Sequence, residues 1–366
     1  MKRFAALIVA IFFASTSIVW SCTGLQLKAV DGSFINGRTL EFGMPLDFSV
    51  LFVPRNYDFK GTLPDGSAGL PYRSKYAAVG AITFGAPAIV DGVNEKGLTV
   101  GMFYFPGYAG YTTVTPDNSK VALSPIDFPN WILTQFATVD EVKQNVPSVV
   151  IVPTTPKGWP TLPPFHYIVY DKTGKSVVIE PVNGKLVMYD NPLGVMTNSP
   201  TFDWHMTNLS NYINLTTENS PPVDVNGVQL QSFGQGSGLH GLPGDFTPPS
   251  RFVRASVFAA SAIPPANSPA GVLQLFHILN QFDIPVGSVR SMDGKTMVPD
   301  ATLATVVKDP NTLRYYVRTY EDQGIRMIDL TAFNFDGKEL LYIDLKGTTP
   351  IEDISKTASK TYQGGV

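Results

Sequence analysis

Apolar and polar positions alternate in short runs along most of this chain. The runs Thr23 to Val30, Phe34 to Phe42 and Phe48 to Pro54, with a turn at Asp31-Gly32, predict the first strands of an antiparallel meander. Tyr76 to Thr83, Ala88 to Val93 and Leu98 to Phe105 predict a second set, the last two joined by Asn94-Glu95-Lys96-Gly97 as a hairpin turn. Between Asp127 and Val146 the period changes. Ile132, Leu133, Phe136 and Val139 recur at helical spacing, and Thr138 followed by Glu141 reads as the cap of a second short helix.

His166 to Tyr170, Ser176 to Pro181 and Lys185 to Tyr189 return to strand alternation, with turns at Asp171 to Gly174 and at Asn183-Gly184. From Pro221 to Pro249 the chain is rich in Gly, Pro and Ser, as expected of a linker or a long ordered excursion near a site. Helices are predicted over Ser250 to Ala262, with Ser250 as cap, and over Ser268 to Phe282. Strands are predicted again over Arg314 to Tyr320, Ile325 to Asp329 and Glu339 to Asp344. Blocks of strands separated by blocks of helices indicate an α+β protein with antiparallel sheets covered by helices, not a doubly wound parallel sheet.

Composition narrows the function. The 366 residues are 44% apolar, enough for a sizeable core, and 27 basic against 30 acidic residues leave a net charge of -3. With no run of either sign, the chain carries no electrostatic footprint for nucleic acid or anionic membrane. Residues 1–21 read as a secretory leader: Lys2 and Arg3, then an apolar stretch from Phe4 to Ile18, then Val19 and Ser21 at the third and first positions before a cut. No later apolar stretch approaches the roughly 20 residues of a membrane span. The expectation is a soluble exported protein, periplasmic or secreted, with one domain over 22–346 and a polar tail over 347–366.

The cut would make Cys22, the chain's single cysteine, the new N-terminus. One cysteine forms no internal disulfide. Three readings of it stand: the lipid-bearing residue of a lipoprotein, against which the bulky Trp20 speaks; a passive small hydrophobe in a first strand; or a nucleophile. The chemistry favours the last. A thiolate is the reactive species, and a free α-amine of pKa about 7.7 to 8.0 exchanges the thiol proton near neutrality, so no separate base is needed. The four histidines, His166, His205, His240 and His277, sit in no cysteine-protease context, and with one cysteine they make no zinc-ligand spacing.

Several segments in order carry a family resemblance. They are Cys22-Thr23-Gly24, Gly37 to Phe42, Asp91 to Leu98, Val195 to Phe202, and Gly241 to Asp245 leading into Pro249-Ser250-Arg251-Phe252. Together they make the chain resemble, from Cys22 to about Tyr342, the choloylglycine hydrolase family of bile salt hydrolases and penicillin V acylases. The resemblance implies an N-terminal nucleophile hydrolase fold, a four-layer sandwich of two antiparallel sheets between helices. It implies hydrolysis of a linear amide that joins an apolar acyl group to a small polar amine, without metal or organic cofactor.

By position, Cys22 matches the nucleophile and Arg38 the arginine beside it. Glu41 stands where the family has an aspartate that binds the α-amine, Asn198 matches the oxyanion donor, and Arg251 matches a second active-site arginine. Tyr104 occupies a position where bile salt hydrolases tend to carry asparagine and penicillin V acylases tyrosine. This points to a penicillin V or N-acyl homoserine lactone type of substrate ahead of a conjugated bile acid, with the Tyr104 main chain able to complete the oxyanion site. Phe103, Tyr104, Phe105 and Tyr108 are candidates for an acyl-pocket lining, with a plain core role as the equally weighted alternative for most of them. Family members are often tetramers, and Asn208 to Gly238 is the segment where subunit contacts are expected.

Overall fold

The computed structural model describes residues 21–43, 48–83, 86–159, 161–293 and 296–345. The leader, apart from Ser21, and the polar tail lie outside the described residues.

Alternation along the opening strands sets the whole architecture, because a strand buried on both faces must present something to each. In Cys22–Lys28 the even positions near the start face one way and the odd ones the other. A Cβ on Gly24 would lie 2.8 Å from Cζ of Phe103 in the opposite sheet, whereas the Thr23 hydroxyl meets Arg251 from a helix. Two antiparallel sheets follow. The first runs Cys22–Lys28, Phe34–Phe42, Thr296–Asp309, Arg314–Thr319 and Arg326–Asp329, with Val289–Asp293 paired onto the long strand. The second runs Lys185–Asp190, Ser176–Val182, Phe165–Tyr170, Thr99–Tyr104, Asp91–Asn94, Ala78–Ile82, Ser49–Val53 and Leu341–Asp344.

The sheets face each other across a core of Leu40, Val306, Tyr315 and Val317 from the first and Val50, Phe52, Val79 and Val93 from the second. The helices Pro248–Ser261 and Ser268–Leu279 cover the outer face of the first sheet, where Leu275, Phe276 and Phe252 pack on Leu25 and Ile35. The helices Asp127–Gln135 and Val139–Asn145 cover the second, burying Phe128, Trp131 and Ile132 against Val100, Tyr167 and Ile179. The order of layers is helix, sheet, sheet, helix, as the resemblance implied.

Local signals place several joints. Thr138 caps its helix by accepting from the Glu141 N–H at 3.1 Å, and the Glu141 carboxylate reaches back to the Ala137 N–H at 2.8 Å. The Asn183-Gly184 turn has φ of 51° and 74°, both left-handed, as a two-residue hairpin needs. One expectation is corrected. Ser250 is not a cap: its helix begins at Pro248 after Thr247, and the Ser250 hydroxyl donates to Asp245 at 2.6 Å. Of the two readings of the Gly/Pro-rich segment, the ordered excursion is the one observed, with an exposed hairpin, Val223–Val225 with Val228–Leu230.

Among the elements that escaped the pattern are the hairpin Asp58–Thr62 with Ala68–Arg73, the helix Phe202–Asn208, and above all the strand Thr296–Asp309. That strand lies at the centre of the first sheet yet buries Asp300, Thr302, Thr305, Lys308 and Asp309. Such a strand shows no alternation, because the partners of its polar side chains come from elsewhere in the fold.

Candidate active site

Cys22 opens the edge strand of the first sheet and is 6% exposed, its side chain directed between the sheets. Its sulfur lies 2.8 Å from Nη2 of Arg38, which belongs to the neighbouring strand Phe34–Phe42. The Arg38 guanidinium is held on every side: Nε donates to the Thr39 carbonyl at 3.2 Å, Nη1 donates to the Met102 carbonyl, and the plane covers the Phe103 ring at 3.8 Å. Burial pushes the Cys22 thiol pKa up, and the Arg38 charge is the strongest influence pulling it down. A thiolate here depends on that cation.

The main chain of Cys22 is gripped from two other elements. Its N–H donates to Oδ1 of Asn198 at 2.8 Å, and its carbonyl accepts from Nη1 of Arg251. Arg251 is fully buried in the first turns of its helix, where the dipole disfavours a cation. Its donors all point inward: Nε to the Phe246 carbonyl at 2.8 Å, Nη1 also to Thr23 Oγ1 at 2.9 Å, and Nη2 to Asn198 Oδ1 at 2.7 Å. Asn198 thus accepts twice on its oxygen, and its Nδ2 donates to the Tyr104 carbonyl at 2.8 Å. One amide ties together the nucleophile's backbone, the second arginine and the strand Thr99–Tyr104.

Two buried histidines fix the segment that carries Asn198. Nε2 of His205 meets the Asn198 carbonyl at 2.8 Å, and Nε2 of His166 meets the Thr197 carbonyl at 3.2 Å. Burial pushes their pKa values down to about 4 and about 3, so both rings are neutral donors, stacked on Phe252 and Phe105. They act on the backbone and not on the sulfur, in keeping with the absence of a cysteine-histidine motif in the sequence.

Glu41 is 2% exposed and its carboxyl pKa is pushed up to about 8 by burial, against the pull of Arg251. Oε1 accepts from the Thr302 hydroxyl at 2.9 Å, and Oε2 meets no hydrogen-bond partner among the described residues. In the chain with Ser21 still attached, the Cys22 nitrogen bonds Asn198 rather than Glu41, and the Glu41 N–H is occupied by the Ser21 carbonyl at 3.1 Å. Asp300, also on the strand Thr296–Asp309, is a second buried carboxyl beside this group, its pKa raised by burial to about 7. Sequence reasoning missed it together with its strand.

A small cavity of about 40 Å³, partly open to solvent, has Cys22, Arg38 and Glu41 at its polar end. Leu40, Phe42, Phe48, Val90, Met102, Tyr104, Trp159 and Phe165 form its apolar walls, with Thr83 at one edge. Of the candidate aromatic lining only Tyr104 is in place. Phe103 lies beneath Arg38, Phe105 is buried against His166, and Tyr108 stacks outside on Phe105. Phe103 and Phe105 take the core role instead, because neighbours on a strand face opposite ways and cannot share the wall with Tyr104. Trp159 and Phe165, packed edge to face at 5.7 Å, come instead from a segment with no local motif.

The profile of the linear amide C-N hydrolases, choloylglycine hydrolase family, matches residues 22–343. A bile salt hydrolase/transferase of Clostridium perfringens is 34% identical over 334 residues, 91% of this chain and 100% of that protein. A penicillin V acylase of Pectobacterium atrosepticum is 27% identical over 320 residues, 82% of this chain and 78% of that one. In three dimensions, a variant of the conjugated bile acid hydrolase of Clostridium perfringens superposes with a TM-score of 0.81 at 33% identity, covering 91% of this chain and 100% of that one. The penicillin V acylase of Agrobacterium tumefaciens shares the fold with a TM-score of 0.72 at 21% identity, covering 89% and 92% of the two chains.

Proposed function

The chain belongs to the choloylglycine hydrolase family of linear amide C-N hydrolases, and from that premise we propose that it cleaves its substrate with Cys22, freed as the N-terminus of an exported protein. The observation that carries the proposal is the 2.8 Å approach of the Arg38 guanidinium to the only thiol in the chain, at the polar end of an apolar cavity. Cys22 is 6% exposed and its sulfur is bonded by Arg38, an enclosed setting that supports a free thiol over a lipoprotein anchor.

Loss of residues 1–21 turns the Cys22 peptide nitrogen into an amine. This takes the thiol proton, and the thiolate adds to the substrate carbonyl carbon. The electron pair displaced onto oxygen is met by Asn198 and the Tyr104 main chain. Collapse breaks the C–N bond, the departing amine takes the proton from the Cys22 ammonium, and a thioester remains. Water then adds to the thioester and releases the acid and the thiol. Arg251 keeps the Cys22 carbonyl and the Asn198 amide in register, and Glu41, protonated while the leader is attached and with Asp300 nearby, is placed to give up its proton and balance an ammonium at Cys22 once the leader is removed.

Tyr104, Trp159, Phe165, Phe42 and Phe48 favour a flat aryl or unbranched alkyl acyl group, as in penicillin V or an N-acyl homoserine lactone. The second reading, a conjugated bile acid, is favoured by the 34% identity to the Clostridium perfringens enzyme over 91% of the chain. Hydrolysis of phenoxyacetyl, long-chain acyl-lactone and bile-salt amides by the same preparation ranks the two. Cys22→Ser removes activity on all three, and full turnover by that variant refutes the mechanism. Intact-mass analysis reports whether Cys22 is the first residue. The exposed Val223, Val225, Val228 and Leu230 of the excursion hairpin support assembly into a homotetramer, which sedimentation tests.

A further inference from the structure

Behind Arg38 lies an ion pair that the reaction as described does not use. Arg38 pairs in register with Val306 of the strand Thr296–Asp309, and Lys308 is two residues further along that strand. The two cations therefore lie on the same face of the first sheet at diagonal positions. From the opposite sheet, Asp91 projects between them. Lys308 Nζ donates to both oxygens of Asp91 at 2.9 Å, Tyr315 donates to Oδ1 at 3.3 Å, and Nη1 of Arg38 stands 3.9 Å from Oδ2. Lys308 is 2% exposed and the Asp91 side chain 0%. Burial lowers the Lys308 pKa and the Asp91 charge opposes this.

The order of distances is the point. Asp91 is bonded at 2.9 Å to Lys308 and stands off at 3.9 Å from Arg38, while Arg38 closes to 2.8 Å on the Cys22 sulfur. A buried carboxylate takes the nearest cation it is offered. We propose that Lys308 and Asp91 are positioning residues for the Cys22 thiolate: Lys308 occupies the Asp91 carboxylate and thereby leaves the Arg38 guanidinium to face the sulfur. Without the lysine charge, Asp91 draws on Arg38 and cancels its field at Sγ. The inference rests on the reading of Cys22 as nucleophile. The other charged or titratable groups around the sulfur and the pair are the Cys22 amine, Glu41, Arg251, Asp300, His166, Tyr170 and Tyr315, and the test leaves all of them in place.

The readout is the pH dependence of iodoacetamide alkylation, which reports one site because Cys22 is the only cysteine. Lys308→Gln keeps a donor for Asp91 and removes the charge. It should raise the thiol pKa by about one unit, slowing alkylation at neutral pH ~10-fold, and lower kcat with little change in KM. In Lys308→Gln/Asp91→Asn the carboxylate is gone as well, and the alkylation profile should return to within about twofold of the unmutated protein. A role confined to packing predicts no such rescue.

A folded Lys308→Gln protein whose profile superimposes on the unmutated one overturns the proposal, as does a double variant as slow as the single. Should the single variant fail to fold, the isosteric neutral pair alone is compared with the unmutated protein, and a raised thiol pKa there overturns it equally. Failure of the nucleophile reading looks different, because Cys22→Ser would then retain turnover whatever the alkylation profiles show.

Discussion

Truncating Asn198 tests the centre of the site. Asn198→Ala removes two accepted bonds, from the Cys22 N–H at 2.8 Å and Arg251 Nη2 at 2.7 Å, and one donated bond, to the Tyr104 carbonyl at 2.8 Å. Each buried group left without a partner costs about 1–3 kcal/mol, the guanidinium at the upper end, so the variant should be several kcal/mol less stable. If Asn198 also donates to the oxyanion, a further loss of about 3–4 kcal/mol in the transition state lowers kcat by ~100- to 1000-fold, with KM little changed.

Asn198→Asp separates the two effects. It is isosteric and still accepts from Cys22 and Arg251, so it should recover the part of the stability those two bonds supply, while the acceptor it sets against the Tyr104 carbonyl leaves the rest lost; it has no donor, and kcat should fall as in the alanine variant. Steady-state kinetics on a phenoxyacetyl amide with matched thermal melts give both quantities. An Asn198→Asp enzyme that is folded and within threefold of the unmutated kcat would refute the assignment of the donor.

Two further outcomes are expected. Burial raises the Glu41 carboxyl from 4.5 to about 8, so the folded state holds a proton that the unfolded chain has lost. The stability this contributes is fully present below pH 4.5 and disappears as pH rises through about 8; Glu41→Gln in the leader-bearing chain should flatten that fall in calorimetric melts. Asn94 is buried with both ends used: Oδ1 accepts from the N–H groups of Lys96 and Leu98 at 3.0 Å each, and Nδ2 donates to the Leu133 and Phe136 carbonyls at 2.7 Å each. Asn94→Ala should cost about 3 kcal/mol or more in denaturant unfolding while leaving the turnover of the folded fraction intact.

Much of the scaffold was legible because its causes are local. The strands Cys22–Lys28, Phe34–Phe42 and Phe165–Tyr170 are short alternating runs, and Asn183-Gly184 and Thr138 with Glu141 are turn and cap chemistry that acts within four residues. The site residues Cys22, Arg38, Glu41, Asn198 and Arg251 lie in the ordered segments that carry the family resemblance, and Tyr104 lies between two of them. Folding brings them together, through direct bonds among Cys22, Arg38, Asn198, Arg251 and the Tyr104 main chain. Glu41 joins them at the cavity without bonding the Cys22 nitrogen.

The sequence by itself determined a pattern of strands and helices and a single thiol at Cys22, at the head of the first strand. Tertiary structure decided which face each side chain took and which charge stood beside which. The acyl walls passed from Phe103 and Phe105 to Trp159 and Phe165 because strand alternation is read against a facing sheet, not along the chain. Thr296–Asp309 showed no strand pattern because Thr302 and Lys308 are satisfied by Glu41 and Asp91, 261 and 217 residues away in the chain. A buried polar residue is stable only with its partner in place, and partners at such separations leave no local trace.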